Sequence, residues 1–219
     1  DWSSDVCSSD LLATLVSAGH IPYYGYRIDN YIKPDMMKCL YGKFSYMVVT
    51  AWDDDGSINP FATTNVINLM EIGYGWQNIW LQFKPCYSCG NIEGQMNTFK
   101  KYTKTMKFER IYYAVEGEWS SNKNVNRKFF EKMLEMSNNE GFKAGVKTTK
   151  EDWERILGAD YKISNPKDVL LMYQGANNDN HPTDFVPFGG WESPSIKQYV
   201  DTFKNCKTPV NVFWKLDEY

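Results

Sequence analysis

The sequence predicts an α/β fold, specifically a modified TIM-like (β/α) barrel with fewer than eight helices. Short apolar runs alternate with amphipathic stretches, the pattern of strands joined by crossover helices. Eight such runs fit into a single domain of about 200 residues. No GxGxxG or GxxxxGK[ST] follows any of them, so the nucleotide-binding sheets lose their usual signature.

In chain order the candidate strands are YGYRI (24–28), YMVVTAW (46–52), NIWLQF (78–83), RIYYAVE (110–116), KAGVKT (143–148), VLLMYQ (169–174), SIKQYV (195–200) and VNVFWKL (210–216). Between them, Phe61 to Ile72 places Phe61, Val66, Leu69 and Met70 on roughly one helical face. Asn126 to Glu140 does the same with Phe129, Phe130, Met133, Leu134 and Met136. Thr149 is the expected N-cap of a further helix, with Asp152 three residues on in a weak capping box. Little helix separates the last three strands, which predicts an irregular C-terminal part. The loop from Gln174 to Pro187, rich in Asn, Asp, Gly and Pro, lies where a strand-end loop would face an active site.

The N-terminus is set apart from this domain. Back-translated, DWSSDVCSSD spells a common sequencing-library adapter read in frame, so residues 1–10 are expected to be a scar. Leu11 to Val16, followed by Ser17, Ala18 and Gly19, reads as the remnant of a signal peptide over 11–19, leaving 20–219 as the domain. The expected location is therefore secreted or lysosomal/phagosomal. Setting aside Asp1, Asp5 and Asp10 leaves 24 acidic residues against 24 basic ones. That balance argues against nucleic acid or a polybasic membrane contact. No other run approaches the length of a membrane span, and no Asn-x-Ser/Thr sequon occurs.

Without Cys7 the cysteines are Cys39, Cys86, Cys89 and Cys206, an even number that allows three pairings. The preferred one closes Cys86–Cys89 locally and joins the first and last units through Cys39–Cys206. A lone CxxC is also compatible with redox chemistry or half a zinc site. With only His20 and His181 in the chain, zinc is disfavoured, and neither metal nor cofactor is expected.

Catalytic groups of a parallel barrel sit at the C-terminal ends of its strands. Those ends carry Asp29, the run Asp53-Asp54-Asp55, Glu116 with Glu118, Tyr173 with Gln174, and Asn211 near the last strand. Alternation puts Tyr112, Ala114, Glu116 and Glu118 on one face as far as the strand extends. Carboxylates in a cleft rimmed by Trp52, Trp119 and Trp191 suit a carbohydrate, whose cleavage needs a proton donor and a second group to stabilise positive charge at the sugar carbon. The plainer alternatives are a solvated turn at Asp53 to Asp55 and aromatics that belong to the core.

GYRID at the first strand, WLQFKPCYSC at the third, IYYAVEGEW at the fourth and DFVPFGGWESPSIKQY near the end resemble the glycoside hydrolase family 25 lysozymes of nematodes, amoebae and other lower eukaryotes. The likeness runs from about Tyr24 to Trp214. It implies a barrel with a reduced set of helices that cleaves the β-1,4 bond between N-acetylmuramic acid and N-acetylglucosamine in bacterial peptidoglycan, as a monomer without a cofactor. By the same likeness, Asp29 matches the first-strand aspartate beside the reacting sugar and Glu116 the glutamate of a D-x-E motif, the general acid. The aspartate of that motif is Ala114 here. The later acidic positions fall on Asn177, with Asp179 nearby, and on Asn211. An alternative register reads Glu116-Gly117-Glu118 as E-x-E. Trp52, Tyr112, Glu118, Tyr173, Trp191 and Asn211 are the residues expected to contact substrate. Because of the departures, the second reading is a barrel that binds cell-wall glycan without cutting it.

Overall fold

A computed structural model describes residues 22–175, 177–179, 181–206 and 208–216. The stretches read as scar and leader, 1–10 and 11–19, lie outside the described residues. Eight strands close a barrel in chain order: β1 (Pro22–Ile28), β2 (Tyr46–Trp52), β3 (Ile79–Phe83), β4 (Arg110–Ala114), β5 (Lys143–Thr148), β6 (Leu170–Gln174), β7 (Ile196–Asn205) and β8 (Thr208–Leu216). Each falls on one of the apolar runs predicted from the sequence. Among the described residues five α-helices surround them: α1 (Pro34–Leu40), α2 (Ala62–Ile72), α3 (Ile92–Thr103), α4 (Lys123–Asn139) and α5 (Lys150–Ile156).

Strands β1 to β7 run parallel, but β8 is antiparallel to both β7 and β1. Alternation alone reads every strand as parallel, and the last one departs from it for a simple reason. Only two residues separate Asn205 from Thr208, enough for a hairpin and far too few for a crossover. Among the described residues no helix bridges β6 and β7 either, because Pro182, Pro187, Gly189, Gly190 and Pro194 punctuate that connection.

The helices form where local chemistry favours them. Pro34 opens α1 at a position whose N–H would be unpaired anyway. Asn91 caps α3 by accepting from Gly94 N, and Asn122 caps α4 by accepting from Asn124 N and Val125 N. Thr149 caps α5 as predicted, accepting from Asp152 N at 3.0 Å. Periodicity located α2 and α4 to within a few residues, whereas α1 and α3 were not singled out. Their apolar positions are few, and the first is only seven residues long.

Two apolar layers hold the barrel. Outward residues such as Val49, Leu81, Tyr113 and Val146 pack under Leu69, Phe99, Phe130 and Trp153 from the helices. Inside the barrel Tyr46, Val48, Trp80, Tyr112, Met172, Ile196 and Phe213 fill the lumen. Fully burying such side chains stabilises by roughly 1.5–3 kcal/mol each. Gly25 and Gly145 make room for this filling: a Cβ on them would stand 2.2 Å from the Tyr46 ring and 2.4 Å from the Tyr112 ring.

Both preferred disulfides are formed. Cys39–Cys206 ties α1 to the β7–β8 turn across 167 residues, and Cys86–Cys89 closes the loop after β3. Gln95 grips that loop twice, accepting from Cys86 N at 3.0 Å and donating to Cys86 O at 2.7 Å.

Candidate active site at the barrel mouth

Asp29 is the first residue past β1, and buried amides fix its backbone. Asn59 Nδ2 donates to Asp29 O at 2.7 Å, while Asn65 donates to Asn30 O and accepts from Ile32 N. Its carboxylate accepts from Arg27 Nε at 3.0 Å and from Thr50 Oγ1 at 2.6 Å, with Lys84 Nζ 4.0 Å away. Burial works to raise its pKa. The charges of Arg27 and Lys84 and the Thr50 hydroxyl outweigh it and hold the carboxyl below its ordinary value. Asp29 is therefore an anion at neutral pH. Lys84 also reaches Asp53, 3.6 Å away. Burial raises the Asp53 carboxyl, with Lys84 opposing and Asp55 adding to the rise. Asp55 closes the following turn onto Ser57, so the acidic run is partly the solvated turn of the plainer reading.

Glu116 lies two residues past β4. Its backbone is fixed on both sides: Trp119 Nε1 donates to Glu116 O at 3.0 Å, and Val115 N donates to Lys147 O at 2.9 Å. Gly117 then takes a φ of 74°, a conformation that favours glycine, and the chain turns out of strand geometry. Lys147 Nζ donates to Glu116 Oε2 at 2.6 Å and to Gln174 Oε1 at 3.0 Å. The lysine is 2 % exposed and pairs directly across the β4–β5 ladder with Ala114. Burial, then Arg27 and Lys84, lower its pKa against the opposing pull of Glu116.

Two cavities open at this end of the barrel. One of about 310 Å³ is lined by Lys84, Tyr87, Ala114, Glu116 and Glu118. The other, about 410 Å³, is lined by Arg27, Asp29, Tyr31, Asp201 and Asn211. Beside the second, the exposed rings of Tyr31 and Phe61 lie 6.1 Å apart. Gln82, fully buried on the lumen face of β3, has a partner for neither amide atom among the described residues. Larger depressions of about 760 and 670 Å³ lie at the opposite end, around Arg110, Lys143 and Phe142. They hold the N-terminal ends of the strands, where barrels carry stability rather than catalysis.

Asp29 and Glu116 both stand at the mouth, as expected, but four of the residues read as substrate contacts, Tyr112, Trp52, Trp191 and Tyr173, do not line it. Tyr112 is fully buried in the lumen, against Gly145 and 5.7 Å from the Trp80 ring. Trp52 is buried and stacked on Phe83 at 5.3 Å. Trp191 is buried against Trp153 at 5.0 Å and donates to Val169 O, at the N-terminal approach to β6. These three serve the core, which outbids a groove for large rings. Tyr173 is half-buried, packed edge-on against Phe185 on the outer side of β6. Asn211 lines the Asp29 cavity and donates to Asp201 O. Glu118 is exposed on the rim of the Glu116 cavity. Trp119 packs on Phe129 and lies near Tyr87.

The long loop after β6 is held from beneath by Lys197, which is fully buried and donates to Asp184 Oδ1 at 2.6 Å and His181 O at 2.8 Å. Asn177 is exposed there, and Asp179 is taken up by His181 N and Thr183. Arg27, Thr50, Lys84 and Lys147 are site residues that the sequence alone does not single out. Among the described residues, no group of three His, Cys, Asp or Glu is placed to hold a metal ion. No helix there is long and apolar enough to cross a membrane.

With this geometry in view, comparisons with known proteins place the chain. The family model described as Lysozyme-like protein 1 matches residues 20–199. Probable GH family 25 lysozyme 5 of Dictyostelium discoideum is 32% identical over 75% of this chain and 76% of its own length. Lysozyme-like protein 5 of Caenorhabditis elegans is 23% identical over 88% and 89%. The fold is shared with a muramidase from Trichobolus zukalii, at TM-score 0.67 and 13% identity over 90% of this chain and 94% of that one. It is also shared with a bacterial lysozyme from Streptomyces coelicolor, at TM-score 0.68 and 9% identity over 87% and 90%. The chain belongs to the lysozyme-like glycoside hydrolases of family 25.

Proposed function

We propose that the chain is a muramidase of the secretory or lysosomal route that cleaves the β-1,4 bond between N-acetylmuramic acid and N-acetylglucosamine, with Glu116 as general acid. The observation that carries this reading is the pair of carboxylates at the mouth, Asp29 in a cationic frame and Glu116 on an open cavity. Glu116 gives a proton to the departing oxygen. Asp29, ionised at neutral pH, stabilises the positive charge that grows at the sugar carbon. The substrate's own N-acetyl group serves as nucleophile, as in substrate-assisted glycosidases. Asn211 and Glu118 stand on the two cavities that flank these groups. We expect a monomer that acts on bacterial wall and not on nucleic acid, given the 24 acidic and 24 basic residues that follow Asp10.

The experiment is digestion of purified peptidoglycan, with the soluble fragments identified by mass spectrometry. Muropeptides with N-acetylmuramic acid at the reducing end support the reading; an undigested sacculus removes it. One observation favours the second reading, a barrel that binds glycan without cutting it: an ammonium holds the Glu116 carboxylate at 2.6 Å and Ala114 supplies no second acid. Pull-down on insoluble wall without release of fragments would select it.

A further inference from the structure

We propose that Lys147 supplies the proton that Glu116 delivers: the two form a dyad sharing one proton, which passes from Lys147 Nζ to Glu116 Oε2 when glycan covers the mouth. This rests on the reading of Glu116 as general acid and adds the source of its proton.

A proton donor with a carboxylate already bonded to an ammonium has an apparent conflict of roles. The geometry resolves it, because the N–H···O bond of 2.6 Å is itself the transfer path. The lysine is 2 % exposed and the glutamate 29 %, so only the glutamate keeps substantial contact with water. The charged groups around Lys147 come from several strands. Arg27 stands on β1 with Asp29 just past its end, and Lys84, which also faces Asp53, follows β3. Glu116 follows β4, while β6 contributes the neutral Gln174 and β7 the neutral, buried Gln198. Burial and two neighbouring cations all work against the ammonium form, with Glu116 pulling the other way.

In the open mouth, water hydrates Glu116 and the ion pair persists. A glycan over the cavity removes that water, and holding two opposite charges there becomes more costly than holding an amine and a carboxylic acid. Transfer keeps the net charge at zero and leaves each partner uncharged. The acid O–H then breaks as its proton goes to the glycosidic oxygen and the C–O bond cleaves, leaving Glu116 a carboxylate and Lys147 an amine. The water that later adds to the sugar carbon gives its proton to Glu116, and the proton returns to Lys147. Lys147 is a positioning residue, since it touches no reacting atom and acts through Glu116.

The test is the pH–rate profile on a soluble glycan oligosaccharide for the native protein, Lys147→Arg and Lys147→Met. Arginine keeps the charge but does not give up a proton in a protein. Methionine removes both and leaves a glutamate that can still hydrate. For each variant kcat should fall by about 10²-fold with KM nearly unchanged. The alkaline limb, which belongs to the dyad in the native protein, should move toward acid by about one pH unit or more. Thermal melting and wall pull-down report whether each variant is folded, and either variant alone suffices. If a folded variant keeps the native kcat and limb, Lys147 only orients Glu116 and the proposal is overturned. A Glu116→Gln variant with native activity would instead sink the underlying reading of Glu116.

Discussion

Ala114 stands directly opposite Lys147 in the β4–β5 register, so the lumen position beside the buried ammonium carries a methyl group. The cavity it lines also holds Lys84 and Glu116. An aspartate at this position would face Lys147 and stand near Glu116, and two carboxylates so close retain a proton between them. Ala114→Asp should therefore raise the rate of wall lysis, by roughly tenfold, on the scale of one added acid–base group. It should also make Lys147→Arg tolerable, because the proton no longer has to come from the lysine. Unchanged or lower lysis by Ala114→Asp, in turbidity assays on the same substrate, would contradict this. Loss of lysis on Glu118→Gln instead would favour the E-x-E register.

Asp29 gives a stability prediction with a definite sign. Its folded pKa lies below the ordinary carboxylate value because Arg27, Thr50 and Lys84 outweigh burial. Such a group adds stability above its unfolded pKa, about 3.9, and loses it as pH falls through the lower folded value. Asp29→Asn should melt below the native protein at pH 7, and the gap should narrow once the pH drops below about 4. A gap independent of pH between 7 and 2.5 would mean that the carboxylate charge contributes nothing to folding. The same variant should lose about 10²-fold or more in lysis.

The Cys39–Cys206 bridge closes a loop of 167 residues. In the chain-entropy treatment that constraint is worth about 5 kcal/mol. For a domain of this size each kcal/mol shifts Tm by about 2–4 °C. Replacing both cysteines by serine should lower Tm by about 10 °C or more, read by calorimetry or circular dichroism. A shift of only a degree or two would show that α1 and the β7–β8 turn stay docked without it.

The strands were legible because burial on both faces leaves each as a compact apolar run, and turn residues mark where each ends. YMVVTAW and NIWLQF needed nothing more. The direction of β8 was not legible from alternation. It follows from chain length, since two residues between Asn205 and Thr208 leave no other course. Asp29 and Glu116 could be found from their places at strand ends. The aromatics misled for a physical reason. Strand alternation gives the side of the sheet but not the depth, so Tyr112 belongs to the lumen filling and Trp52 stacks on Phe83. Tyr31 lies in a loop where periodicity says nothing, and Phe61, which periodicity put on the apolar face of the next helix, is its N-cap residue and stands exposed at the mouth. Lys147 escaped notice because KAGVKT reads as an ordinary strand, and only the closed barrel shows that its lysine has nowhere to go but inward.

Glu116 is proposed as the acid of a working muramidase, and Glu116→Gln tests that role with the smallest change. Glutamine keeps the shape and accepts a hydrogen bond from Lys147, but it has no proton of the required acidity to give. Release of reducing ends from purified peptidoglycan should fall by about 10²–10⁴-fold, while pull-down on insoluble wall stays at the native level. Equal release by the native protein and Glu116→Gln, with both well above a no-protein control, would contradict the account.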